Sequence, residues 1–527
     1  MTNRYLYITL LALMGFSAEA QEQEQEQPRT APRLVISITI DQLRSDYLEA
    51  FAPLYGSGGL KRLLNGGKVF VNASYSFAPV DRASAIAALS TGTTPYYNSI
   101  VSNQWLHRET LRPVGCVDDN HFPGLLTHEK TSPEGLLTST LGDELKVMTG
   151  GRALVYAIAP YRDAAVLSAG HAADAALWID NASGNWCTST YYTKLMPSWL
   201  NVYNDKNSPA KKIASAQWEP LYDVTGKYNY FLYTDDNKPF KHKFIGDHRF
   251  SSYKESALVN ADITELAVHS IASAGMGNDM VTDLLCLTYY AGTFGHQRVT
   301  DCQMELQDTY MRLDRELSRL MAYIDLHFEP SDVLYVVTST GYSDVESDDY
   351  AAFRIPTGTL NMTRTAHLLN MYLGGIWGQD SYVETTYHNQ IFLNHKLLER
   401  KKISLGEATG RAQEIVAMMQ GVRNVYTSLQ LLTAQSTQME KIRNAFHPQR
   451  CGDILIEAAP GWRVLNEETQ QSRMSVASVT QFPIVIYGAG TQPERISETV
   501  TTDRIAPTIA RTIRIRAPNA CSAEPLF

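Results

Sequence analysis

The sequence predicts an α/β fold: a doubly wound, mostly parallel sheet flanked by helices, with inserted cap segments. Three observations carry this. Short apolar, β-branched runs recur along the chain, as strands buried on both faces require. Stretches with apolar residues at helical spacing alternate with those runs. The 527 residues, 44% hydrophobic and 19% charged, suffice for a large core and leave length for insertions.

Residues 1–20 read as a secretory signal. Arg4 supplies the positive start, Tyr5 to Phe16 the apolar stretch, and Ser17-Ala18-Glu19-Ala20 a small-residue cleavage site before Gln21. The apolar stretch is shorter than the roughly 20 residues that span a bilayer. No Cys stands at the cleavage site to take a lipid; an uncleaved anchor is the alternative. The expected mature chain is exported, periplasmic or extracellular after cleavage near Ala20, with no transmembrane segment. Residues 21–32 form a polar, proline-ended linker.

One globular domain is expected over 33–527. Leu34 to Ile40 reads as a buried parallel strand ending at Asp41, on the sheet edge where α/β proteins bind ligands. Gly59 to Asn65 and Ala83 to Leu89 read as helices, and Ala153 to Ile158 as a strand. From about 183 to 250 the chain is rich in Trp, Tyr, Asn and Lys with weak periodicity, which suggests a cap over the sheet. Asn260 to Ser273 reads as a helix, Asp283 to Tyr290 as a strand, Glu305 to Ile324 as a helix, and Val333 to Thr338 as a buried strand ending at Ser339-Thr340-Gly341. A second insertion is expected over about 370–447, with a strand at Gln390 to Leu393 and a helix at Gly406 to Met419. Phe482 to Tyr487 returns to the sheet, and Ile505 to Ile513 closes the fold as a helix.

A net charge of −9 with no single-sign run argues against a nucleic-acid surface, which needs clustered Lys and Arg. The six cysteines are irregularly spaced and form no CxxC, so they do not read as a zinc site.

Several segments carry a resemblance: ITIDQLRSDYL, LSTGTTPYYNSIVSNQW, YRDAAVLSAGHAADAALWIDNASGNW, LTYYAGTFGH, ELQDTYMRLDREL, FHPQRCGDILIEAAPGW and DRIAPTIARTIRIRAPNA. In this order they resemble the alkaline phosphatase superfamily, in particular the branch of exported bacterial phosphatases and nucleotide pyrophosphatase/phosphodiesterases. The resemblance implies two zinc ions, a Thr or Ser nucleophile and phosphate-ester hydrolysis through a phosphoenzyme. A Thr hydroxyl is a poor nucleophile at neutral pH, so one metal must stabilise its alkoxide and another the leaving oxygen. Two such ions need about six Asp and His ligands.

Carried over position by position, the resemblance places the first Asp ligand at Asp41 and the nucleophile at Arg82, followed by Ser84-Ala85-Ile86 in place of a Pro-Gly-His run. The Asp-x-x-Gly-His motif keeps His296 but has Gly292 for its Asp. The Asp-His pair after the next strand falls on Thr340 and Gly341, and the last His near Ser472. His447 is the final histidine of the chain, so no His stands in that last region. Of the phosphate contacts, Asn103 in SNQW and Arg162 are kept, while the Lys that pairs with the Arg falls on Pro160.

These residues lead to the expectation of a non-catalytic member with no zinc and no intact catalytic set. Asp41 is then a loop-fixing carboxylate, His296 a hydrogen-bonded interior residue, and Asn103 and Arg162 either anion contacts or loop caps. Ser84 is a stand-in nucleophile only in a weaker reading, and His171 belongs to a helix start. The expected role is a binding or scaffold subunit for another exported or envelope protein. Arg82 is expected to fill the lost metal's space and face Asp41. The rival readings are a metal-dependent phosphate-ester hydrolase with an atypical site and an enzyme with new chemistry in the old cleft.

Overall fold

The computed structural model describes residues 31–223, 239–343, 353–433, 436–466, 471–474 and 478–527; for 471–479 no side chain is described. The expected signal and almost all of the linker lie outside these residues.

Eleven strands form the main sheet: β1 (Leu34–Asp41), β2 (Lys68–Ser74), β3 (Asp118–Leu125), β4 (Lys130–Thr131), β5 (Val155–Ile158), β6 (Ala175–Ile179), β7 (Trp186–Ser189), β8 (Asp283–Tyr290), β9 (Val333–Ser339), β10 (Phe482–Gly488) and β11 (Glu494–Thr501). Their order is β11-β2-β10-β9-β1-β8-β5-β6-β7-β3-β4. The middle five, β9 to β6, are mutually parallel. On one side β10 runs antiparallel to both its neighbours, and on the other β7, β3 and β4 extend the sheet antiparallel. The parallel centre is as expected; the antiparallel flanks were not anticipated.

In β1, Leu34, Ile36, Ile38 and Ile40 face one apolar core and Val35 the other. That two-sided burial explains its unbroken apolar reading. Helices α3 (Val259–Ala274) and α4 (Gln303–His327) cover the first face through Ile263, Leu266, Leu313 and Leu317. Helices α1 (Arg82–Thr91), α2 (Arg162–Ala169) and α5 (Ile505–Thr512) cover the second through Ile86, Val166 and Ile509.

Two insertions differ from expectation. The described residues of segment 183–250 pack into the core rather than over the sheet, and 224–238 lie outside the described residues. The segment supplies β7, and Trp186, Leu200, Tyr203, Trp218, Phe244 and Phe250 are buried in the first core, so its aromatic richness is core-forming. The second insertion is wider than 370–447. A strand at Gly358–Asn361 pairs with Trp462–Asn466, which pairs in turn with Gln471–Met474. A four-stranded antiparallel sheet and helices Met362–Trp377 and Leu405–Val416 complete this subdomain around Leu369, Leu373, Ile391, Ala412 and Ile454. Arg108 fastens it to the rest by bonding both oxygens of Asp453 at 3.1 and 3.2 Å.

All six thiols are unpaired. No described helix is long and apolar enough to cross a membrane.

Candidate functional site

The carboxyl ends of β1, β8 and β9 meet the first turns of α1 and α2. Asp41, the last residue of β1, is 1% exposed. Its Oδ1 accepts from the Thr340 hydroxyl at 2.9 Å, and that hydroxyl accepts from the Gln42 amide at 2.9 Å. Gln42 has a φ of 62°, a conformation non-glycine residues adopt at a cost of order 1 kcal/mol. The Thr340 bond therefore fixes a turn as well as a carboxylate.

Asp41 Oδ2 faces Arg82, whose Nη1 lies 3.7 Å away. The guanidinium's hydrogen bonds go elsewhere. Nε reaches Asp163 Oδ2 at 3.2 Å, and Nη2 reaches Oδ1 and Oδ2 at 3.3 and 3.2 Å. Its Cζ lies 3.7 Å from the centroid of the Tyr161 ring, close enough for a cation–π contact. Burial opposes the arginine's charge, but Asp163, Tyr342, Asp41 and Tyr161 outweigh it and hold the guanidinium more firmly protonated than usual. One cation thus answers two carboxylates. The sequence-based pairing of Arg82 with Asp41 is found at ion-pair distance; the fork on Asp163 was missed.

The start of α1 explains how Arg82 is aimed. Asp81 is the N-cap: its Oδ1 accepts from the Ser84 amide at 2.9 Å and the Ser84 hydroxyl at 2.8 Å. Its Oδ2 accepts from the Ser102 hydroxyl and the Asn103 amide, both at 2.8 Å. Ser84 is fully buried in this capping box, which makes it a helix-start residue. The Asp-x-x-Ser spacing was a readable capping signal.

Arg162 is likewise committed. Nη2 bonds Asp118 Oδ1 at 2.5 Å, Nη1 bonds Thr131 Oγ1 at 3.1 Å, and Nε lies 3.7 Å from Glu129. Asn103 is held by Asp81 through its amide, and its Oδ1 accepts from Ser102 at 3.2 Å. His171 bonds Asp143 at 3.0 Å and the Leu136 carbonyl at 2.9 Å, the helix-start role expected of it. His296 is not interior: its side chain is 45% exposed, and Nε2 lies 3.1 Å from Glu255.

Gly292 and Gly341 leave no room for larger side chains as the backbone stands. A Cβ on Gly292 would lie 2.6 Å from the Tyr290 hydroxyl and 3.0 Å from Gln42 Cδ. Tyr290 is pinned there, donating to the Thr293 carbonyl at 2.8 Å while Asn260 bonds its backbone on both sides. At Gly341, with φ of 66°, a Cβ would lie 2.4 Å from Phe482 and 2.8 Å from Tyr75. Ser472 pairs with Leu465 at the subdomain edge. Residues 344–352, just after Thr340-Gly341, lie outside the described residues.

Zinc needs four donors at close quarters. Among the described residues no three His, Cys, Asp or Glu side chains gather in that way. Asp41 already has one oxygen on a hydroxyl and the other toward a guanidinium, so the described donors do not fit a zinc ion.

Residues 35–481 match the type I phosphodiesterase/nucleotide pyrophosphatase family. The chain belongs to this family. It is 27% identical over 547 residues to alkaline phosphatase PhoV of Synechococcus elongatus, covering 98% of each. It is 26% identical over 521 residues to alkaline phosphatase PafA of Elizabethkingia meningoseptica, covering 94% of each. The crystal structure of PafA superposes with a TM-score of 0.80 at 24% identity, over 94% of this chain and 98% of that one. The fold is therefore that of the alkaline phosphatase superfamily.

Proposed function

We propose that this chain is a non-hydrolytic member of its family: an exported protein whose central cleft is closed by ion pairs and which serves as a binding or scaffold subunit for another exported or envelope protein. The observation that carries this reading is Arg82. It stands at the position where the resemblance implies a nucleophile, 3.7 Å from Asp41 and forked onto Asp163. A permanently charged guanidinium supplies the positive charge that metals supply elsewhere, and it has no nucleophilic atom. The crowding at Gly292 and Gly341 supports the same reading. Export rests on the signal-like residues 1–20.

The test is elemental analysis of the dialysed full chain for zinc, paired with hydrolysis of chromogenic phosphate mono- and diesters. Neither zinc nor turnover is expected. The names of the relatives favour the second reading, a phosphate-ester hydrolase with an atypical site. Turnover that disappears in Asp41→Asn would establish it and overturn ours.

A further inference from the structure

A cavity of about 290 Å³ opens at the end of the sheet opposite Asp41, where β9 begins and β10 ends. Its apolar wall is Ile324, Phe328, Pro330 and Val333. Two tyrosines also line it: Tyr335 from β9 and Tyr487 from β10, cross-strand partners whose ring centroids lie 5.9 Å apart.

Neither phenol has spent its proton. The Tyr335 residue is 3% exposed, and its hydroxyl has no hydrogen-bond partner among the described residues. The groups that bear electrostatically on it, Asp325, Arg62 and Tyr487, all line this cavity. Burial pushes its pKa up, so the phenol stays protonated and remains a donor. The Tyr487 hydroxyl accepts from Arg62 Nε at 2.9 Å, and no described residue accepts its own proton. A buried hydroxyl left unpaired is rare enough in folded proteins to require a reason.

The wall and rim are fixed. Arg62 is forked on Asp325 at 2.5 and 2.9 Å, which cancels its charge and holds the Tyr487 oxygen in place. Gly488, Ala489 and Gly490 have φ of 90°, 49° and 74° in succession, and a Cβ on Gly488 would run into the Val333 carbonyl. Left-handed backbone at a non-glycine residue such as Ala489 persists only where its surroundings hold it, and such positions gather at ligand clamps. With Arg62 neutralised, Glu329 leaves the lining net negative, which disfavours an anion. An apolar cavity of about 150 Å³ holds benzene, so this one has room for one or two rings.

We propose that this cavity binds a small neutral aromatic compound bearing a carbonyl group, an aryl ketone, aldehyde or amide, with its ring on the apolar wall and its oxygen accepting from the Tyr335 and Tyr487 hydroxyls. The site is remote from the central cleft, so it stands whether or not that cleft hydrolyses phosphate esters.

The test titrates the full-length chain with acetophenone, with toluene, which has the ring but no acceptor, and with benzoate, which has the ring and a negative charge. Ligand-observed NMR reads the binding. Acetophenone should bind about ten-fold more tightly than either, the worth of one good hydrogen bond. Tyr335→Phe and Tyr487→Phe should each weaken acetophenone about five-fold or more and leave toluene unchanged. Without ligand, Tyr335→Phe should be no less stable in urea than wild type, since it deletes only an unpaired hydroxyl. Acetophenone no tighter than toluene, or unaffected by both variants, overturns the proposal, as does binding of none of the three. Benzoate binding tighter than acetophenone overturns the ligand class. A destabilised Tyr335→Phe would show that this hydroxyl is already bonded within the protein and overturn its part.

Discussion

Replacing Arg82 with Ala removes the cation that two carboxylates share. Asp41 is 1% exposed and the Asp163 side chain 12%, so neither regains full hydration when the guanidinium goes. Breaking a fully buried pair costs about 3–5 kcal/mol. Arg82 itself keeps 19% of its side-chain surface, and Asp41 retains its bond from Thr340. These discounts bring the expected loss to about 2–4 kcal/mol. Thermal melting is a poor assay, since a change of that size moves the midpoint of a chain this long by only about 3 °C. Urea unfolding followed by tryptophan fluorescence, read as the shift in midpoint, is the better measurement. Arg82→Lys keeps the charge but loses the planar fork on Asp163, and should fall between wild type and Arg82→Ala. Adding Asp163→Asn to Arg82→Ala should recover part of the loss, because the two residues act as a pair. Arg82→Ala within about 0.5 kcal/mol of wild type, the range of ordinary surface changes, would refute the claim that this arginine neutralises the centre.

Three further outcomes are expected. Arg82→Thr alone, assayed with added zinc on a chromogenic phosphate ester, should give no turnover above background, since one restored member of a constellation recovers little; measurable hydrolysis would show that the remaining ligands lie elsewhere. Gly292→Asp should destabilise by about 1–3 kcal/mol in urea, because even its Cβ would lie 2.6 Å from the Tyr290 hydroxyl; unchanged stability would mean the Tyr290 ring yields freely. Lys254→Met should be more stable than wild type at pH 7, by an amount that shrinks at higher pH. The lysine's folded pKa of about 8 lies below its usual 10.5, so its burial penalty is fully present below pH 8 and fades as pH rises toward 10.5, by roughly 3 kcal/mol in all. Urea titrations at pH 7 and pH 10 give the difference, and a gap independent of pH would place a protonated lysine there throughout.

Much of this was legible in the residues. β1 and β8 announced themselves because both faces of each are buried, which leaves no polar alternation to confuse the reading. Asp41, Arg82 and Thr340 were placed by order and frame, since each sits at the end of a strand or the start of a helix. Asp163 was not, because nothing local in PYRD says that its side chain turns toward residue 82. Its meeting with Arg82 is set by the packing of α2 against α1. Segment 183–250 misled for a related reason: its irregular aromatics follow no single period, yet they pack on one core from short helices and turns.

The cap at Asp81 has a consequence for what can vary at the next position. Its two oxygens accept from four donors, two in the helix start and two in the Ser102-Asn103 segment. The direction in which the backbone presents residue 82 is thus decided by its predecessor, whatever side chain follows. Aim and chemistry are written in separate letters here. A mutation at 82 exchanges a cation for a hydroxyl or a methyl at one address, whereas a mutation at 81 would change the address itself.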